Sequence, residues 1–86
     1  MTLKERFEQA VAESKQLPSR PDNDTLLKLY SLFKQATIGD APDEGPSNPF
    51  DFIAKAKYNA WAKFKGLSAD EAMTQYLAIF EGLKGK

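Results

Sequence analysis

The sequence predicts an all-α fold, a small four-helix bundle. Apolar residues recur at three- and four-residue spacings in four separate stretches. Each stretch opens on a capping residue and closes near a glycine or proline. No run alternates apolar and polar residues as a half-buried strand does, and no internal repeat is present. The chain has 86 residues, 42% of them hydrophobic. That is enough for one small domain, expected to span 1–86, with a shallow core.

The first helix opens at Thr2 with Glu5 three residues on, a capping-box pattern. Leu3, Phe7, Ala10, Val11 and Ser14 then recur at helical spacing, and Pro18 and Pro21 predict a stop. The second begins at Asp22 to Asp24, good cap and first-turn residues, and runs to Gly39, a suitable C′ residue. The stretch "GDAPDEGPSNP", Gly39 to Pro49, carries three prolines and two glycines and predicts a long loop. The third helix is expected from about Asp51 to Lys65, ended by Gly66. The fourth opens on a second capping box, Ser68 and Glu71, and Gly82 and Gly85 predict a frayed end.

Composition excludes several functions. Cysteine is absent, which removes disulfides, thiol chemistry and cysteine-bound metal; histidine is absent, which removes the commonest general base and metal ligand. Twelve basic and twelve acidic residues cancel, unlike a strongly basic nucleic-acid binder. The charged start "MTLKERFEQA" has no apolar signal-peptide core, and no apolar run reaches membrane-span length. A soluble, cytoplasmic, metal-free protein without stable membrane insertion is expected.

Three polar groups sit on apolar faces. Projected at about 100° per residue, Leu26, Leu27, Leu29, Tyr30, Leu32, Phe33 and Ala36 of the second helix cover roughly 220°. Lys34 falls inside that arc, between Tyr30 and Leu27, while Lys28, Ser31 and Gln35 project to the opposite, polar side. In the third helix Ile53, Ala60, Trp61 and Phe64 share a face, and Lys57 projects between Trp61 and Phe64. From Phe52 to Ala69 there are four lysines and no acid. In the fourth, Ala69, Ala72, Met73, Tyr76, Phe80 and Leu83 form a stripe with Tyr76 at its centre, whose hydroxyl needs a partner if buried. A single lysine at the edge of an apolar arc most often buries its stem and keeps its head in water. Two lysines beside aromatics on wide apolar arcs suit an amphiphilic anion with an aromatic ring. The ammonium groups match phosphate, the rings match a base, and the surplus apolar wall matches a hydrocarbon.

The segment "LYSLFKQATIGD" resembles the signature of the acyl-CoA-binding protein family, approximately Y-x-x-[YF]-K-Q-A-T-x-G-D. "DFIAKAKYNAWAKFKGLS" resembles the family's second motif, and "DEAMTQYLAIFEGL" its last helix. The resemblance covers about Phe7 to Leu83. It implies a four-helix bundle in up-down-down-up arrangement. It also implies binding of medium- to long-chain acyl-CoA thioesters, with a carrier and pool-forming role, no catalysis and no cofactor beyond the ligand. By that resemblance Lys34, Lys57 and Tyr30 bind the ribose 3′-phosphate, and Phe33 helps hold the adenine. Tyr76 lies near the pantetheine and acyl region, and Lys15 adds a contact from the first helix. Ser31 and Leu32, within the same signature run, join the expected ligand-binding set. Phe33 stands where tyrosine is more usual, Tyr58 where tryptophan is common and Arg20 where lysine is common. The loop lacks the frequent Arg-Pro-Gly.

Rival readings are a protein-interaction bundle that has lost the ligand, a single-stranded nucleic-acid binder and an enzyme. Retention of Tyr30, Lys34, Lys57 and Tyr76 argues against the first. Zero net charge with only two arginines argues against the second. The lack of histidine, cysteine and a Gly-rich phosphate loop argues against the third. The expected partners are acyl-CoA itself and, transiently, enzymes that use it; no nucleic acid is expected, and the expected state is a monomer.

Overall fold

The structure, a computed structural model, describes residues 1–17, 20–48 and 50–84. Helices α1 (Leu3–Ser14), α2 (Asn23–Thr37), α3 (Phe52–Ala62) and α4 (Ala69–Lys84) make up its regular structure. Local chemistry sets their starts. Thr2 Oγ1 accepts the Glu5 N–H while the Glu5 carboxylate accepts the Thr2 N–H, both at 3.1 Å, completing the capping box. Asp22 caps α2 through Thr25 N–H at 2.8 Å, and Asp51 caps α3 through Ala54 N–H at 3.0 Å. Ser68 Oγ accepts the Glu71 N–H at 3.1 Å, ahead of α4.

The ends differ from expectation in two places. Helix α3 stops at Ala62 instead of Lys65. Phe64 N–H bonds Trp61 O, Lys65 N–H bonds Ala62 O and Leu67 N–H bonds Phe64 O, a tightened three-residue pattern that closes on Gly66 at φ +91°. Helix α4 runs through Gly82 to Lys84, where a frayed end was expected; Gly85 and Pro18 lie outside the described residues. Gly39 does act as the C′ residue, at φ +107°, where its missing side chain removes the steric penalty.

Helix directions follow from which residues meet. Phe7 meets Tyr76 edge-on at 5.1 Å, and Glu13 pairs with Lys84 at 3.6 Å, so α1 and α4 run parallel. The Lys57 ammonium lies 5.3 Å from the Tyr30 ring and Trp61 lies against Lys34 one turn further on, so α2 and α3 run parallel. Gln35, near the end of α2, bonds the Leu67 carbonyl ahead of α4, so those two run antiparallel. The arrangement is up-down-down-up. Parallel α2 and α3 require the chain to travel back along about 16 Å of helix between them, which accounts for the long loop. Part of that loop is held on α3: the Tyr58 hydroxyl donates to the Pro42 carbonyl.

The core joins Phe7 and Ala10 of α1, Leu29, Leu32 and Ala36 of α2, and Ala72, Tyr76, Leu77 and Phe80 of α4. Leu77, outside the expected stripe, is buried because α4 packs on α1 as well as on α2, whereas Ala69 is exposed. Helix α2 corrects the projection more deeply. Ser31 and Gln35, expected on the polar side, are 0% and 1% exposed. Ser31 turns its hydroxyl back to the Leu27 carbonyl at 2.6 Å, and Gln35 Nε2 donates to Asp40 and Leu67, while Gln35 Oε1 is buried without a hydrogen-bond partner among the described residues. In exchange Leu26, Leu27, Tyr30 and Phe33, counted as packing surface, remain half-exposed.

Candidate functional site

The half-exposed face of α2 is where the site forms. Tyr30 lies at the meeting point of three depressions. One of about 300 Å³ runs towards α1 and α4 past Lys15, Phe33 and Tyr76. One of about 520 Å³ runs between α2 and the start of α3 past Leu26, Leu27, Phe52, Ile53 and Arg20. One of about 460 Å³ runs beneath the loop past Tyr58 and Trp61. Lys57 lines the last two. A roomier hollow of about 610 Å³, past Lys4, Phe7 and Met73, shares Phe33 with the first but lacks the paired ammonium groups.

Both lysines converge on the Tyr30 ring. The Lys34 ammonium lies 5.6 Å from its centroid and that of Lys57 5.3 Å. Lys34 also lies 5.9 Å from the Trp61 ring. Cation–π attraction holds such ammonium groups at modest gain while leaving their hydrogens free to donate. Among the described residues neither lysine pairs with a carboxylate. Two unpaired cations on one ring form an anion seat, and the phenol adds a polar edge.

The structure brings Lys15, Tyr30, Phe33 and Tyr76 to one cleft, and sets Lys34 and Lys57 around Tyr30. Lys15, at the C-cap of α1, is exposed. Tyr76 is only 4% exposed; its hydroxyl donates to Ser14 Oγ at 3.3 Å, which supplies the partner that its burial requires. Ser31 and Leu32, expected as ligand contacts, are both 0% exposed. They offer no surface to a ligand, because this side of α2 is closed by packing, and lie beneath the site.

Sequence reasoning missed a hydrogen-bonded corner after α2. The Trp61 indole donates to the Gly39 carbonyl at 2.8 Å. Asp40 Oδ1 accepts from Gly66 N–H at 2.9 Å and from Gln35 Nε2 at 2.7 Å. The signal was present in the run "KQATIGD", whose Gln and Asp are neither apolar nor cationic and were assigned no task. The Gly66 N–H, then the Gln35 amide, hold the Asp40 carboxyl below the usual carboxylate range. At Glu5 the Thr2 N–H does the same. A lowered folded-state pKa means that the unfolded chain binds the proton more readily. Stability from these bonds is therefore complete above the ordinary carboxylate range and is lost as pH falls through the folded values. Asp40→Asn is accordingly expected to flatten the acid limb of a plot of denaturation midpoint against pH; a limb of unchanged steepness would show that the corner does not titrate with folding.

An all-α scaffold presenting two unpaired ammonium groups on an aromatic ring, with apolar grooves leading away, belongs to the class of small-molecule binding proteins. The sequence model of the family described as "Acyl CoA binding protein" matches residues 4–80. The chain is 48% identical over 86 residues to acyl-CoA-binding protein homolog 1 of Caenorhabditis elegans, covering 100% of this chain and 96% of that one. It is 39% identical over 80 residues to the acyl-CoA-binding protein of Saccharomyces cerevisiae, covering 93% and 91%. The crystal structure of acyl-CoA-binding protein 2 of Oryza sativa superimposes with a TM-score of 0.86 at 35% identity, covering 95% of this chain and 90% of that one. The chain belongs to the acyl-CoA-binding protein family. Membership makes it a binding protein and not an enzyme. No helix among the described residues is long and apolar enough to cross a membrane.

Proposed function

We propose that this chain, acting as one domain and a monomer, binds medium- to long-chain acyl-CoA thioesters and carries them in the cytosol. The observation that carries the reading is the pair of unpaired ammonium groups, Lys34 and Lys57, on the Tyr30 ring, with apolar grooves on either side. Lys34, Lys57 and the Tyr30 hydroxyl take the ribose 3′-phosphate, whose doubly charged oxygens accept several donors at once. The adenine lies against Phe33, with Lys15 at the rim. Phe33 gives a stacking face without a hydroxyl. The acyl chain follows the groove of Leu26, Leu27 and Ile53, where the half-exposed leucines and the exposed isoleucine lose contact with water.

Trp61 reports on this event. The residue is 8% exposed, its indole is bonded to Gly39 and the Lys34 ammonium lies over the ring at 5.9 Å, so capture of Lys34 by a phosphate changes the charge near the indole. Titration with palmitoyl-CoA is expected to shift Trp61 fluorescence saturably at one ligand per chain, with native mass spectrometry showing the same stoichiometry. Absence of any ligand-bound mass would defeat the reading. A bound mass with unchanged indole fluorescence and near-UV circular dichroism would move the ligand off this face.

A further inference from the structure

We propose that Asp40 is a positioning residue for the anion seat, acting through Trp61 and Lys34; this rests on the headgroup-anchored reading above. Gly39, with φ at +107°, turns the chain sharply after α2. Its carbonyl takes the Trp61 indole N–H from α3, and the next residue's carboxylate takes the Gly66 N–H ahead of α4. The Gln35 amide closes the corner, donating to Asp40 at 2.7 Å and to the Leu67 carbonyl at 2.9 Å. A single oxygen, Asp40 Oδ1, thus joins the last turn of α2 to the turn between α3 and α4.

Lys34 belongs to that last turn. Its carbonyl accepts N–H from both Ile38 and Gly39, so its backbone is stitched to the corner that Asp40 anchors. Its ammonium sits against the Trp61 ring, which the same corner holds through Gly39. Without the carboxylate, the Gly66 and Gln35 donors lose their shared acceptor. The Gly39 carbonyl is then free to drift from the indole, and the ring that seats Lys34 drifts with it. Exposed as it is, Asp40 is not itself suited to contact the phosphate, since both are negative. Simple charge therefore predicts the opposite sign: removing a nearby negative charge should strengthen phosphate binding.

The opposed signs give the test. Palmitoyl-CoA and its analogue lacking the 3′-phosphate are titrated into the wild type, Asp40→Ala, Asp40→Asn and Leu77→Ala. The quantity read is the preference for the phosphorylated ligand. Asp40→Ala is expected to cut that preference roughly three- to tenfold, the loss of a well-placed hydrogen bond. Asp40→Asn keeps an oxygen that can accept from Gly66 and Gln35, and is expected to restore most of it. Leu77→Ala, a core truncation between α1 and α4, is expected to lower stability and leave the preference unchanged. An unchanged or increased preference in Asp40→Ala overturns the proposal, as does an equal fall in Leu77→Ala. Were Asp40→Ala not to fold, Asp40→Asn still decides: a preference above wild type favours the charge explanation, and one at or slightly below it favours the positioning role. A wild type without any preference would defeat the anchored reading itself, and the inference with it.

Discussion

Palmitoyl-CoA is expected to bind this chain far more tightly than either of its halves. Free CoA carries the phosphates and the base but gains only contacts that water contests. Palmitate carries the hydrocarbon but leaves Lys34 and Lys57 without a phosphate. Only the ester fills both the anion seat and the apolar groove past Leu26, Leu27 and Ile53. Each buried methylene is worth up to about 0.8 kcal/mol, close to fourfold in affinity. Affinity should therefore climb from CoA through octanoyl-CoA to palmitoyl-CoA and level off where the groove ends. That increment is a ceiling, because a long chain in water already folds on itself. Calorimetry with the three CoA ligands and palmitate measures the whole set. Palmitate binding as tightly as its CoA ester would make the protein a general lipid carrier and remove the anion seat from its mechanism.

Lys34→Ala is the second large effect. Lys34 is half-buried with its ammonium beside two rings, and no carboxylate competes for it among the described residues. A charge-assisted hydrogen bond is worth about 1.5–3 kcal/mol, or roughly 10- to 150-fold in affinity. The helix is expected to survive, since alanine is the better helix former and the lost side chain carries no buried hydrogen bond. Circular dichroism should be unchanged while palmitoyl-CoA affinity falls. The ligand lacking its 3′-phosphate should bind the wild type at least as weakly as the complete ligand binds the variant, where Lys57 and Tyr30 still meet the phosphate, and should lose little more when presented to the variant. Equal losses with both ligands would show that Lys34 does not meet that phosphate.

The helices were legible because their starts are decided within four residues: Thr2 with Glu5, Asp22 with Thr25, Ser68 with Glu71. Lys34 and Lys57 were legible because an ammonium among aromatics at helical spacing breaks a pattern. Ser31 and Gln35 were not, since a helical projection equates polarity with exposure. Their burial depends on partners the projection does not contain: for Gln35, an aspartate in the next turn and a carbonyl 32 positions along the chain. The end of α3 failed for a related reason, because the lysines after Ala62 favour helix locally while the bonds of the following turn override them. Lys15 came from family resemblance alone, as nothing in its own helix marks it out.

Helix α3 buries a single side chain, Trp61, and its backbone approaches closely that of α2 and of no other helix. The remaining three helices share one continuous core. Helix α3 is therefore expected to form a weaker cooperative unit than the other three helices. Backbone amides of α3 can exchange with solvent through local openings that leave the other helices intact, at a lower free energy than global unfolding. A ligand lodged between α2 and α3 closes those openings by mass action. Its presence should therefore slow exchange in α3 far more than in the shared part of the core. In the proposed binding mode the weaker unit is the wall that a long hydrocarbon passes, and entry and release are then expected to proceed through motion of one helix while the protein stays folded.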